Sequence, residues 1–211
     1  MKQLPSRRVM RGDLAALGLA CGERELGLVQ AYRSVLGDWV GRMNLIGPRE
    51  MDRLWERHLL ESASWSLLLP EDGAVCDIGS GAGFPGVMLA ILGRTVTLLE
   101  PRRPKYLFLT AVRDALGIPG LSVERTRIED RPPPAFPSYV ARSVGPVAGL
   151  LDSLAGAGAG GSLLVCRVPP GSPELAAAER WIDLPVPPLD RPGVLVQYRV
   201  PAASLTRLRR K

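Results

Sequence analysis

The chain has 211 residues, 46% hydrophobic, 23% charged and 5% aromatic, with a formal net charge of +6 and a pI near 9.7. This composition suits one globular domain, or one with an appendage, whose core must be filled mainly by aliphatic side chains. No apolar run reaches the roughly 18 residues a membrane helix needs, and the scattered, odd-numbered Cys21, Cys76 and Cys166 exclude a disulfide framework and a spaced zinc site.

Residues 1–10 are basic but lack an apolar h-region, so no leader is expected and the expected location is cytoplasmic. The positive charge favours a polyanionic partner, because lysines and arginines that neutralise phosphates release condensed counterions. It collects at Arg7, Arg8 and Arg11, at Arg102, Arg103 and Lys105, and at Arg207, Arg209, Arg210 and Lys211. Each group could equally be a solvated face, so charge alone does not choose.

The first seventy residues read as a helical N-terminal extension. Leu28, Val29, Tyr32, Val35, Leu36, Trp39, Val40 and Met43 recur at helical spacing, and Asn44 to Pro48 ends that helix. A second stripe, Met51, Leu54, Trp55, His58, Leu59, Ser62, Trp65 and Leu69, predicts another helix that Pro70 breaks. From residue 74 the pattern changes. β-rich runs at 74–78, 95–99, 121–124, 138–141 and 163–166 alternate with helical runs at 86–92, 105–116 and 147–154. Pro104 suits a first helical turn and Gly117 a C-terminal cap. Pro132 to Pro134 read as a stiff loop, Gly156 to Gly161 as a connection, and 193–200 as a last strand. Alternating strands and helices mean βαβ units, so the expected fold is α/β: a Rossmann-like doubly wound sheet over 71–211, capped by helices over 1–70.

The first strand runs directly into Asp77-Ile78-Gly79-Ser80-Gly81-Ala82-Gly83-Phe84-Pro85-Gly86 and then a helix. Glycines there allow positive φ and let backbone approach a ligand, as nucleotide-binding turns require. Gly81 to Gly86 fits the dinucleotide pattern, so a nicotinamide dinucleotide has to be weighed against S-adenosylmethionine. Asp77, two residues before the first glycine, suits the cationic ammonium and sulfonium groups better than a pyrophosphate. No separate substrate domain is expected within 211 residues, and the single histidine, His58, precedes the sheet. Glu100 ends the second strand 21 residues after Gly79, where a carboxylate can accept ribose hydroxyls. Both candidate cofactors carry that ribose. Asp77 with Glu100 favours S-adenosylmethionine; an NAD-binding redox or sensor protein is the alternative from another class.

No cysteine stands where a pyrimidine-C5 methyltransferase needs its nucleophile. The polar-Pro-Pro-aromatic cassette used for exocyclic amines is missing after the fourth strand, where Ala141 to Pro146 stand. A ring nitrogen with a free lone pair, such as guanine N7, needs neither. A small-molecule methyltransferase of the same fold stays open.

The segment Trp55-Glu56-Arg57-His58-Leu59-Leu60-Glu61-Ser62, with Asp77 to Gly86, resembles the bacterial 16S rRNA guanine-N7 methyltransferase family RsmG, also called glucose-inhibited division protein B. The likeness continues through Asn44-Leu45, Val96 to Glu100, Lys105, Phe108-Leu109, Arg127-Ile128-Glu129 and Ala141-Arg142-Ser143, over roughly residues 10–155. It implies a class I S-adenosylmethionine-dependent methyltransferase fold and methylation of a guanine N7 in 16S rRNA of the small ribosomal subunit, by a monomer without metal. It implies cofactor contacts at Gly79, Phe84, Ile128, Glu129 and Arg142, beside Asp77, Gly81 and Glu100, and no catalytic base. Departures are Glu61 for the family's usual Asp, Val40 after Trp39, and Arg167-Val168-Pro169-Pro170 after the fifth strand. Arg57, His58 and Asn44 are candidates for substrate contact. The other reading makes His58 a packed core histidine, pairs Arg57 with Glu61 four residues on, and gives Asn44 to a helix end.

Overall fold

The computed structural model describes residues 3–131 and 135–202. The basic group at 207–211 and the stiff loop read at 132–134 lie outside the described residues.

Seven strands form one sheet: β1 Val75–Ile78, β2 Val96–Leu99, β3 Leu121–Glu124, β4 Ser138–Ala141, β5 Leu163–Val168, β6 Arg180–Asp183 and β7 Val194–Arg199. Their order is β3-β2-β1-β4-β5-β7-β6. β1 to β5 are parallel, with Val75 opposite both Val96 and Ser138. β7 runs antiparallel to β5 and β6. The sheet is therefore mixed, and its order reverses between β1 and β4. At that switch point the loops leaving the carboxyl ends of β1 and β4 diverge and open a crevice.

Side-chain alternation sends the strands into two cores. Val75, Val96, Leu98, Val140, Val165 and Leu195 pack on one face; Cys76, Ile78, Leu99, Tyr139, Cys166 and Val196 pack on the other. The first face is covered by α1 Arg7–Ala16, α2 Glu23–Val40, α3 Leu60–Ser64, α4 Gly86–Ile91 and α5 Arg103–Leu116. The N-terminal helices thus share one continuous core with the sheet through Met10, Leu14, Leu26, Val29, Tyr32 and Leu36. On the second face lies α6 Val147–Gly156. Gly117 closes α5 at φ +57°, its N–H donating to Arg113 O at 3.0 Å, as the sequence predicts.

One predicted element comes out differently, and one strand is unannounced by the sequence. The stripe from Met51 to Leu69 is not one helix. It runs as a 3-10 turn Pro48–Arg53, a π-turn Trp55–Leu59, the short α3 and a further 3-10 turn Trp65–Leu68. The apolar residues of the stripe stay buried although the winding changes, because His58 to Trp65 are buried all round and not along one side. β6 is an added edge strand with three of its four residues exposed, Trp181 at 55%, so no buried alternation announced it.

Candidate functional site

The glycine loop is held from both sides. Gly79, Gly81 and Gly83 take φ of +65°, +57° and +92°, a region closed to most side chains. A Cβ on Gly86 would come within 2.4 Å of Leu98 Cδ2 and 2.6 Å of Asp77 Oδ2, so only glycine lets α4 sit this close to β1 and β2. From α2, the buried Tyr32 hydroxyl donates to Ala82 O, and its ring meets Phe84 edge-on at 5.8 Å.

Both predicted carboxylates are occupied by the loop. Asp77 is fully buried on the face covered by α4, and its Oδ2 accepts from Gly86 N at 2.9 Å. Burial pushes its pKa up to about 7 against the pull of that N–H. Strand alternation turns Ile78, not Asp77, toward the crevice. Glu100 is 4% exposed; Oε2 accepts from Gly81 N at 3.0 Å and Oε1 from Arg102 N at 2.9 Å. It ties the glycine loop to the start of α5, and each oxygen keeps a lone pair for a further donor.

At the switch point lies a cavity of about 350 Å³, lined by Ile78, Gly79, Leu99, Ile128, Glu129 and Val144 among others. Of the predicted site residues it brings together Gly79, Ile128 and Glu129. Gly81 and Glu100 are not among its lining residues, though Glu100 stands between Leu99 and Pro101, which are. Asn44 is exposed in the loop after α2, away from the cavity lining.

Phe84, Arg142 and His58 form a second group. The His58 ring stacks on Phe84 at 4.9 Å and 16°, and the Arg142 guanidinium carbon lies 4.7 Å from the same ring centroid. His58 Nδ1 accepts from Arg142 Nη2 at 3.0 Å; Nε2 faces Glu50 Oε2 at 2.8 Å. Burial and then the Arg142 charge push the histidine down to about 4. His58 is thus the packed, hydrogen-bonded residue of the alternative reading. Arg57 pairs with Glu50 at 2.8 Å and Asp190 at 3.6 Å, not with Glu61. The π-turn widens the helix at Trp55–Leu59, so residues four apart no longer stand one above the other.

Sequence reading missed Glu61 as a site residue. It is 1% exposed and reaches three arginines: Arg142 Nη1 at 3.6 Å, Arg167 Nε at 3.2 Å and Arg191 Nε at 3.8 Å. Its signal was available, because an acid stands among the apolar residues Leu59, Leu60 and Ala63. Tyr32, which holds the loop, read only as core. Among the described residues no group of three or more His, Cys, Asp or Glu is placed to hold a metal. None of the helices described is long and apolar enough to cross a membrane.

Residues 25–180 match the family GidB, rRNA small subunit methyltransferase G. The chain is similar to Ribosomal RNA small subunit methyltransferase G of Streptomyces coelicolor, 44% identical over 138 residues, 64% of this chain and 56% of that protein. The protein of the same name from Thermobifida fusca is 40% identical over 157 residues, 72% of this chain and 66% of that one. The chain spans about half the length of the first of these curated relatives. Among solved structures, MtNAS in complex with MTA and tNA aligns with a TM-score of 0.54 at 15% identity, over 92% of this chain and 75% of that one. That likeness is one of fold.

Proposed function

The chain belongs to the rRNA small subunit methyltransferase G family and has the class I methyltransferase fold, and from this premise we propose that it transfers a methyl group from S-adenosylmethionine to guanine N7 in 16S rRNA. The observation that carries the reading is the crevice between the loops after β1 and β4, with Gly79 backbone on one wall and Ile128 and Glu129 on the other.

The residues present fit the cofactor. Gly79 at φ +65° leaves backbone exposed without a side chain in the way. Leu99, Ile128 and Leu150 give apolar walls for a purine, and the Ile128 backbone with the Glu129 side chain can read its edge. Glu100 has lone pairs left for ribose hydroxyls, and Arg142 offers a guanidinium to a carboxylate or to the acceptor base. When bound, S-adenosylmethionine supplies an electrophilic methyl group.

The protein's own part is orientation and water exclusion, since guanine N7 already carries a free lone pair and needs no base to deprotonate it. Phe84, packed between Tyr32, His58 and Arg142, holds the loop rigid and walls off water. The basic surface docks rRNA phosphates, and the work is done in the cytoplasm by a monomer.

The test is transfer of labelled methyl from S-adenosylmethionine to unmodified 16S rRNA, with the modified nucleotide mapped. Label at one guanine N7 is expected. Label only in a small molecule, or binding of NADH in place of S-adenosylhomocysteine, would overturn the reading.

A further inference from the structure

Beside the glycine loop, positive charge exceeds negative charge in a place with little water. Glu61 faces Arg142, Arg167 and Arg191, while Glu50 and Asp190 hold Arg57 and Arg53. Within ion-pair distance five guanidiniums share three carboxylates, with Asp77 and Glu56 acting on Arg142 and Arg53 from farther off, and His58 between them is neutral at pH 7. The side chains of Arg142 and Arg167 are only 14% and 16% exposed. Burial pulls both below their ordinary range, and crowding by Arg191 adds to it.

The hydrogen-bond count points the same way. Arg142 Nη1, Arg167 Nε and Arg191 Nε are buried within ion-pair range of Glu61, yet make no hydrogen bond among the described residues. Arg142 Nη2 and Arg167 Nη2 are served by His58 Nδ1 and Pro192 O, but buried donors left without acceptors are costly, and one carboxylate cannot serve all the remaining donors of three planar forks. A second anion with several oxygens would satisfy them. Guanidinium forks match phosphate geometry. The place is also right: Arg142 lies over Phe84 of the glycine loop, and Arg191, at 40% exposure, leaves the cluster open to solvent on one side.

We propose that Arg142, Arg167 and Arg191 form a phosphodiester-binding site that grips the substrate RNA strand next to its target base. This rests on the RNA methyltransferase reading above. A cofactor carboxylate is the rival occupant, but none of the three arginines lines the cavity, and its two oxygens can pair with one guanidinium fork and would leave the other two unserved.

The experiment measures affinity for unmodified 16S rRNA across a KCl series, and for S-adenosylhomocysteine by calorimetry, in the wild type and in Arg191→Gln, Arg167→Gln and Arg191→Lys. Each glutamine variant should bind RNA about tenfold more weakly, the loss of one charge-assisted contact. Its log–log salt slope should fall by about 0.7, one phosphate contact on a single strand. Affinity for S-adenosylhomocysteine should stay within about twofold, and Arg191→Lys should retain the slope because it retains the charge. Arg191 is the more exposed of the two and keeps the test available should Arg167→Gln not fold. A wild-type slope and affinity in both glutamine variants would overturn the site while leaving the methyltransferase reading intact. Weakened cofactor binding in the same variants would overturn it in favour of the carboxylate. A wild type that neither binds nor methylates the RNA would overturn both.

Discussion

Arg142 Nη2 donates to His58 Nδ1 at 3.0 Å, joining the end of β4 to the N-terminal region across 84 residues of sequence. Arginine can only donate, so Nδ1 must carry a lone pair and the ring proton sits on Nε2, given to Glu50 at 2.8 Å. A proton on Nδ1 would break this bond and set two cations face to face. That is why burial and Arg142 together hold His58 near 4.

A pH dependence follows, and its sign can be worked out. His58 titrates near 6.5 unfolded and about 4 folded, so between these values the unfolded chain binds the extra proton and stability falls as pH falls. Asp77 works oppositely. Its carboxyl moves from 3.8 to about 7 on folding, so its contribution is lost as pH rises through that window. The two oppose each other between pH 4 and 6.5. His58→Gln, which removes one of them, should gain stability relative to the wild type by about 1.4 kcal/mol for each pH unit of acidification. Urea denaturation of both proteins at several pH values in that window checks this. A constant difference would mean His58 is not held neutral by its neighbours.

Gly86→Ala should lose about 1–3 kcal/mol, because the added methyl meets Leu98 and the Asp77 carboxylate well inside contact distance. Gly93→Ala is the control for conformation alone: it has φ +94° and nothing within 4 Å, so its cost is backbone strain without a clash. Thermal denaturation of the pair separates the two causes. Equal losses would show that the close approach of α4 to β1 and β2 is not what selects glycine at position 86.

The α/β core was legible because β1, β2, β4 and β5 are short, largely buried runs bounded by turn residues, and because the glycine loop names its own geometry. Of the candidate site residues, Gly79 was marked by the glycine loop itself, and Ile128 and Glu129 by the family resemblance alone; all three line the cavity. Which face Asp77 takes was not legible from the motif alone, since a one-residue step along a strand reverses the face: Ile78 lines the cavity, and Asp77 accepts from Gly86 N. The Glu61 cluster was out of reach. Its arginines stand at positions 142, 167 and 191, brought together only by the order in which β4, β5 and β7 enter the sheet. Nor does apolar spacing separate an α-helix from the 3-10, π and α turns that replace it over 48–68, since Met51, Leu54, Trp55, Leu59 and Trp65 are buried in the turns as a single helix would have buried them.

Glu100→Ala should weaken S-adenosylhomocysteine binding by about 10–100-fold, the range for losing hydrogen bonds to a charged acceptor. Two routes lead to the same loss. The Gly81 and Arg102 N–H groups lose their acceptor, and a ribose would lose its own. Glu100→Gln separates them, because an amide oxygen can still serve one N–H but offers no charge. Calorimetric affinity near the wild-type value in Glu100→Ala would mean that no ribose is held there.

Glu61→Gln isolates the electrostatics of the arginine cluster, since the amide preserves shape and removes only the charge. With 1% exposure, Glu61 meets Arg142 and Arg167 where water screens them little, and Arg191 at the solvent edge of the cluster. Removing the one carboxylate from such a set leaves buried cations uncompensated, which costs about 3–5 kcal/mol. The expected readout is a lowered urea midpoint at an unchanged slope. Inorganic phosphate should raise that midpoint more in the variant than in the wild type, because an external anion replaces the missing charge. A loss below about 1 kcal/mol, the level of a surface ion pair, would mean that the three guanidiniums are solvated and that Glu61 neutralises nothing they need.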